Sequence, residues 1–193
     1  MPRKLSSEKR QQFLDSALKL FVANGVKNTS TAAIAKDAGT ASGTFFLYFP
    51  TKQDLINELI MQIGRQQSEY INSLLTRNLS AWETFLTIWY GSIRWFQENM
   101  DAYHYFRQVR DSGLIEDEVI QESEQFFTYY YQAIQRGLAE GAIKPYPVEL
   151  IGGMLYQDIV AVMNLLTAET GPEGQENLIQ LGFSIFWDGI KAE

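Results

Sequence analysis

Apolar residues recur along this chain at intervals of three and four, and no stretch of useful length alternates apolar with polar at every second position. That period lines one face of an α-helix and cannot line one face of a strand. Phe13, Leu14, Ala17, Leu18 and Phe21 form the first such face; Ser6 or Ser7 can cap its start, and Gly25 follows its end. Ser30 can cap a short second segment in which Ile34, Ala35 and Ala38 share a face. Gly39 breaks that segment, a third runs to about Phe49, and Pro50 stops it. Thr51 and Asp54 resemble a capping box for a long fourth helix buried through Leu55, Ile56, Leu59, Ile60 and Ile63. Ser80 and Glu83 form a second box ahead of Phe85, Leu86 and Trp89. Asp101 can cap a further short helix, and another runs from about Glu116 to near Gly141. Pro147 and Pro172 stand where the first turns of the last two helices begin, and Gly171 ends the helix between them. The expected fold is all-α, with about nine helices.

Composition narrows the chemistry. There is no cysteine, so disulfides, thiol nucleophiles and zinc–thiolate sites are excluded. The single histidine, His104, rules out a multi-histidine metal site, and no phosphate-binding loop is present. An enzyme is therefore not expected, and no cofactor or metal is called for. No apolar run approaches the roughly 18 residues that span a bilayer, and the start lacks the apolar core of a signal peptide. A soluble, cytoplasmic protein without a membrane partner follows as the expectation.

The net charge of -7 is an average over unlike parts. Residues 1–55 carry eight basic and four acidic groups, a balance of +4, whereas the rest carries eight basic and nineteen acidic groups, a balance of -11. A basic head on an acidic body suggests that only the head meets a polyanion. The stretch 30–49 lies in that head. It reads as two short helices joined by a glycine turn, with alanines at 32, 33, 35 and 38 that let the helices approach closely. That is the arrangement of a helix-turn-helix, whose second helix enters the major groove; a plain αα-hairpin is the alternative.

The runs Ile34-Ala35-Lys36-Asp37-Ala38-Gly39, Gly43-Thr44 and Tyr48-Phe49-Pro50-Thr51-Lys52-Gln53-Asp54-Leu55 resemble the TetR/AcrR family of transcriptional regulators. Ala17-Leu18-Lys19-Leu20-Phe21 and Asn24-Gly25 match that family's first helix at the expected distance upstream, so the resemblance covers roughly residues 7–67. It implies a DNA-binding domain over 1–52 and a ligand-binding and dimerisation domain over 53–193. Carried over by position, Thr31, Thr44 and Tyr48 would contact phosphates, and Lys52 would add charge at the start of the fourth helix. Ala41, Ser42, Gly43, Phe46 and Leu47 would face base edges or their flanks, Thr40 belongs to the same DNA-binding set, and Phe45 and Phe49 read as core. Relatives commonly have a lysine just before the glycine matching Gly43, and tyrosine or histidine at the positions of Phe46 and Leu47. The groove-facing surface here is thus unusually apolar, suited either to thymine methyls or to weaker binding.

One head makes too few contacts for tight binding, so a homodimer on a palindromic operator is expected. The last two helices offer the interface, with Ile151, Leu155, Ile159 and Val162 in one stripe and Leu178 and Ile185 in another. Gly153, Gly182 and Gly189 permit close helix approach there. Between residues 82 and 106 there are nine aromatic side chains, and five more fall within 126–131. Such density suggests either a packed core or a cavity between the fourth and eighth helices for an apolar or cationic effector. Trp82, Phe85, Trp89, Tyr103, Phe106, Phe127, Tyr130 and Tyr156 are the candidate lining. The acidic run Asp111, Glu116, Asp117, Glu118, Glu122 and Glu124 reads as a solvated face or as counter-charge for a cation. The expected function is a repressor released from DNA by a small molecule; the alternative is a ligand-independent DNA-bound factor acting through a protein partner.

Overall fold

The structure, a computed structural model, describes residues 5–110, 112–168 and 171–192. Arg3 and Lys4 of the basic head and Asp111 of the acidic run lie outside the described residues. Among the described residues there are ten α-helices: α1 (Ser7–Asn24), α2 (Thr31–Asp37), α3 (Ser42–Tyr48), α4 (Lys52–Leu74), α5 (Ala81–Glu98), α6 (Met100–Arg110), α7 (Asp117–Glu124), α8 (Thr128–Ala139), α9 (Val148–Leu166) and α10 (Pro172–Ile190). The all-α expectation holds. The extra helix arises because the segment expected to run unbroken from about Glu116 is interrupted by a 3₁₀ turn at Gln125–Phe127. There the Phe126 carbonyl accepts a hydrogen bond from the Ser68 hydroxyl at 2.5 Å.

Local signals act as their chemistry requires. The Ser6 hydroxyl accepts from the Lys9 amide, and the Ser30 hydroxyl from the Ala33 amide. Asp54 accepts from the Thr51 amide at 2.8 Å while the Thr51 hydroxyl accepts from the Asp54 amide at 3.1 Å. Ser80 and Glu83 make the same reciprocal pair at 2.8 and 3.2 Å. Each box satisfies backbone donors that a helix start leaves open. Accepting from both the amide and the hydroxyl of Ser80 holds the Glu83 carboxyl below its usual pKa.

The chain divides into two compact units, residues 1–65 with 99–123, and residues 66–98 with 124–193. The first unit is larger than the head bounded at residue 52. It gains α6, which packs on α1: Tyr105 stacks on Phe21 at 5.8 Å and donates to the Ile56 carbonyl at 2.9 Å. Gln108 donates to the Phe21 carbonyl at 3.1 Å, near the end of α1.

In the second unit α9 packs against α10, α8 and α5. Its buried stripe is Ile151, Leu155, Ile159, Val162, Met163 and Leu166. The expectation that no segment has the length and apolarity to span a bilayer needs correcting. By those two measures α9 does, with 19 residues and a mean hydropathy of 1.2. Glu149 and Asp158 interrupt it, and its inward stripe belongs to the core. Most of α9 is not buried, so an apolar outer face remains.

Candidate DNA-binding site

The turn between α2 and α3 is built by backbone geometry. Gly39 sits at φ 66°, a left-handed conformation that a side chain would strain. Its amide donates to the Lys36 carbonyl at 3.1 Å, and the Thr40 amide reaches back to the Ala35 carbonyl at 2.9 Å. These two bonds close the end of α2 and turn the chain sharply into α3.

An aromatic cluster then fixes α3. Phe13 of α1 meets Phe45 at 5.6 Å, Tyr48 at 5.5 Å and Phe49 at 6.2 Å between ring centroids. Phe45 and Phe49 are buried core residues, as the sequence suggests. Arg10 adds a polar clamp. Its guanidinium pairs with Glu58 on α4, donates through Nη1 to the Tyr48 carbonyl at 2.8 Å, and lies 4.5 Å from the Phe49 ring centroid. The bond to the Glu58 carboxylate raises the Arg10 pKa further. Arg10 was not among the expected site residues. Its position three residues before Phe13 was the available signal, since that spacing shares a helix face. Tyr105 and Gln108, more than eighty residues along the chain from α1, left no such local mark.

The remaining α3 side chains point outward. Ala41, Ser42 and Gly43 are exposed, Thr44 is partly exposed, and Phe46 and Leu47 are 53% and 66% exposed. No atom lies within 4 Å of where a Cβ on Gly43 would sit. Gly43 is the second residue of α3, and the fold itself gives no steric reason for a glycine there. Thr31 is partly exposed at the start of α2.

Three expected contacts carry structural duties as well. The Thr40 hydroxyl donates to the Ala35 carbonyl at 3.2 Å. Tyr48 is buried, and its hydroxyl accepts from the Ser6 amide at 3.3 Å. Lys52 donates to the Val26 carbonyl at 2.5 Å with its ammonium 5.8 Å from the Phe21 ring, and burial lowers its pKa.

The candidate effector lining draws on both units. Tyr103 and Phe106 belong to the first unit, and the other six belong to the second. Phe85, Trp89 and Tyr103 are buried. Trp89 is held by a hydrogen bond from its Nε1 to the Ile179 carbonyl at 3.0 Å and stacks on Phe186. These three are packed core, and Trp82 is 45% exposed, with its ring edge-on to Phe183. Phe127, Tyr130 and Tyr156 are partly buried, beside Tyr129 for the first two.

The candidate interface also needs redrawing. Ile151, Leu155, Ile159 and Val162 turn into the second unit's own core and are closed to a partner. A Cβ on Gly182 would lie 2.5 Å from Val162 and 2.8 Å from Trp89, so that glycine serves packing within the chain. Leu178 is half-buried, whereas Ile185, Gly153 and Gly189 are exposed. The outward apolar residues are the expected Ile185 with Leu181 on α10, and Leu150, Met154 and Leu165 on α9. Apolar residues populate both faces of α9, and periodicity alone did not show which face the core takes.

Among the described residues, no group of three or more His, Asp or Glu side chains could hold a metal ion. The sequence model for bacterial regulatory proteins of the tetR family matches residues 13–59, from within α1 into the first half of α4. The HTH-type transcriptional regulator SrpR of Pseudomonas putida is 23% identical over 94% of this chain and 85% of its own length. The HTH-type transcriptional regulator AcrR of Shigella flexneri is 41% identical over 34% of this chain and 32% of its own length. A crystal structure of a tetR family transcription regulator from Shewanella sp. PV-4 superposes with a TM-score of 0.89 at 25% identity, covering 96% of this chain and 99% of that one. The motif, the helices that hold it and these likenesses agree: the chain belongs to the TetR/AcrR family of DNA-binding transcriptional regulators, which are not enzymes.

Proposed function

We propose that this protein is a cytoplasmic homodimeric repressor that grips a palindromic DNA site through two copies of α3 and leaves it when a small apolar or cationic effector binds. The observation that carries the reading is α3 itself. Its Phe45 and Tyr48 are anchored in the core, while Ser42, Gly43, Phe46 and Leu47 are left exposed. A helix so firmly held and so openly presented suits insertion into a major groove. Homodimerisation is supported by the outward apolar residues of α9 and α10, which a monomer would leave wet.

An effector site in the second unit is supported by Tyr129. Its buried hydroxyl has no hydrogen bond of normal geometry, and burial beside the Tyr130 phenol raises its pKa well above the usual value. A ligand's acceptor atom would give that hydroxyl a partner of good geometry. The excess of acid in the body favours a neutral or cationic molecule over a multiply anionic one.

Selection of tight-binding duplexes from a random-sequence library tests the DNA reading. An inverted repeat should emerge, and affinity should fall linearly with the logarithm of salt concentration. Lys52→Ala should weaken all duplexes alike and reduce that slope by about one; a thermal melt separates this from loss of the Val26 bond. Failure to enrich any sequence would reject the reading. Release of the selected duplex, together with a change in tryptophan fluorescence, tests the effector. Lipophilic cations and neutral aromatics should release it and organic phosphates should not; the reverse outcome would reject the stated chemistry.

A further inference from the structure

The base edges that a recognition helix can read depend on its side chains. Arginine and lysine read guanine, asparagine and glutamine read adenine, and aspartate and glutamate read cytosine. From Ser42 to Tyr48, α3 contains none of these six residue types and no histidine. Phe45 and Tyr48 are spent on the core, so Ser42, Gly43, Thr44, Phe46 and Leu47 remain. Gly43, Phe46 and Leu47 are spaced i, i+3, i+4 and therefore share one face. On it, two large apolar side chains stand exposed beside a bare backbone position, since a Cβ at Gly43 would sit in open space.

Phe46 is pre-set. Its ring stands edge-on to the buried Phe45 ring, with centroids 5.3 Å apart and planes at 81°. One feature of a base edge rewards an apolar contact without any hydrogen bond, the C5 methyl of thymine. The hydroxyls of Ser42 and Thr44 bond several edges and discriminate little among them.

We propose that α3 reads its operator through thymine methyl groups, with Phe46 and Leu47 as the specificity-determining residues and the absence of a side chain at Gly43 letting the groove edge approach the backbone. The proposal rests on the DNA-binding reading above and deepens it. Each half-site then carries thymines at the positions facing α3, with A·T pairs in preference to G·C. Sequence preference comes from methyl burial, whereas the phosphate contacts that set overall affinity lie outside this face. Discrimination and salt dependence are therefore separable in this protein.

Replacing thymine by deoxyuridine removes the methyl and leaves every hydrogen-bonding group in place. The full-length chain is first used to select a duplex from a random-sequence library. The selected duplex is then resynthesised with each thymine changed in turn to deoxyuridine. At positions facing α3 the affinity should fall about fourfold per methyl, the value of burying one such group. Phe46→Ala and Leu47→Ala should each bring the thymine-to-deoxyuridine ratio to about one at the position it touches, with an unchanged salt slope and an unchanged thermal midpoint. Ser42→Ala should leave the ratio intact. A selected site at which every thymine tolerates deoxyuridine, or whose α3-facing positions are G·C, overturns methyl readout and leaves DNA binding standing. No enrichment at all overturns both.

Discussion

Ile185→Glu should turn the dimer into a monomer and abolish operator binding with it. Ile185 is 73% exposed, so the folded monomer should tolerate the change within about 0.5 kcal/mol. In an interface built from the outer faces of α9 and α10 the same carboxylate would be buried without a partner. Two-fold symmetry places the substitution in that interface twice. Burial of an uncompensated charge is unfavourable by about 3–5 kcal/mol, so dimer affinity should fall by at least about a hundredfold. Sedimentation velocity at micromolar concentration reads the outcome. A half-site bound by one head retains too few contacts, and binding to the palindrome should vanish in the same titration. An Ile185→Glu protein that stays dimeric and keeps its DNA affinity would place the interface elsewhere. Gly153→Leu probes the same face differently. Nothing lies within 4 Å of its Cβ position, so it should spare the thermal midpoint while disturbing association.

Trp89→Ala should be the most destabilising single truncation in the second unit. The ring is fully buried, stacks on Phe186 with centroids 6.3 Å apart, leans on Phe183 at 6.0 Å, and donates to the Ile179 carbonyl. Removing it opens a cavity and deletes the indole's hydrogen bond to that carbonyl. Truncation of a buried tryptophan is unfavourable by about 3–5 kcal/mol, and for a chain of this size each kcal/mol moves the thermal midpoint by roughly 2–4 °C. A fall of about 10 °C is expected in a melt followed by circular dichroism. Were Trp89 the wall of an open effector site, its loss would enlarge that site with little effect on stability. A shift of under about 2 °C would support that role and reject the packed core.

Much of the architecture was legible before any coordinates. Ser6, Ser30, Thr51–Asp54 and Ser80–Glu83 announce helix starts because a cap and its partner lie within a few residues of each other. Gly39 announces the sharp turn because its left-handed backbone is a property of one residue. Phe45 and Phe49 read as core and Phe46 and Leu47 as surface because the motif fixes the phase of a seven-residue helix. Every one of these inferences spans less than about one turn of helix or rests on a matched motif.

Less was legible wherever distant segments meet. The stacking of Tyr105 on Phe21 enlarges the first unit beyond residue 52, and nothing near either residue marks the pairing. Phe85, Trp89 and Tyr103 have the composition of a ligand pocket, but composition cannot tell a ring that fills space from one that borders it. On α9, Ile151, Leu155 and Ile159 form one apolar stripe and Leu150, Met154 and Leu165 form another. Gly182 is read equally well as room for a partner or as room for Trp89. Local order alone therefore set the helices, their caps and the exposed face of α3. The division of apolar faces between the chain's own core and its surface came from the packing of α5, α8 and α10 around α9, because hydrophobic burial is non-directional and rewards whichever face finds a neighbour.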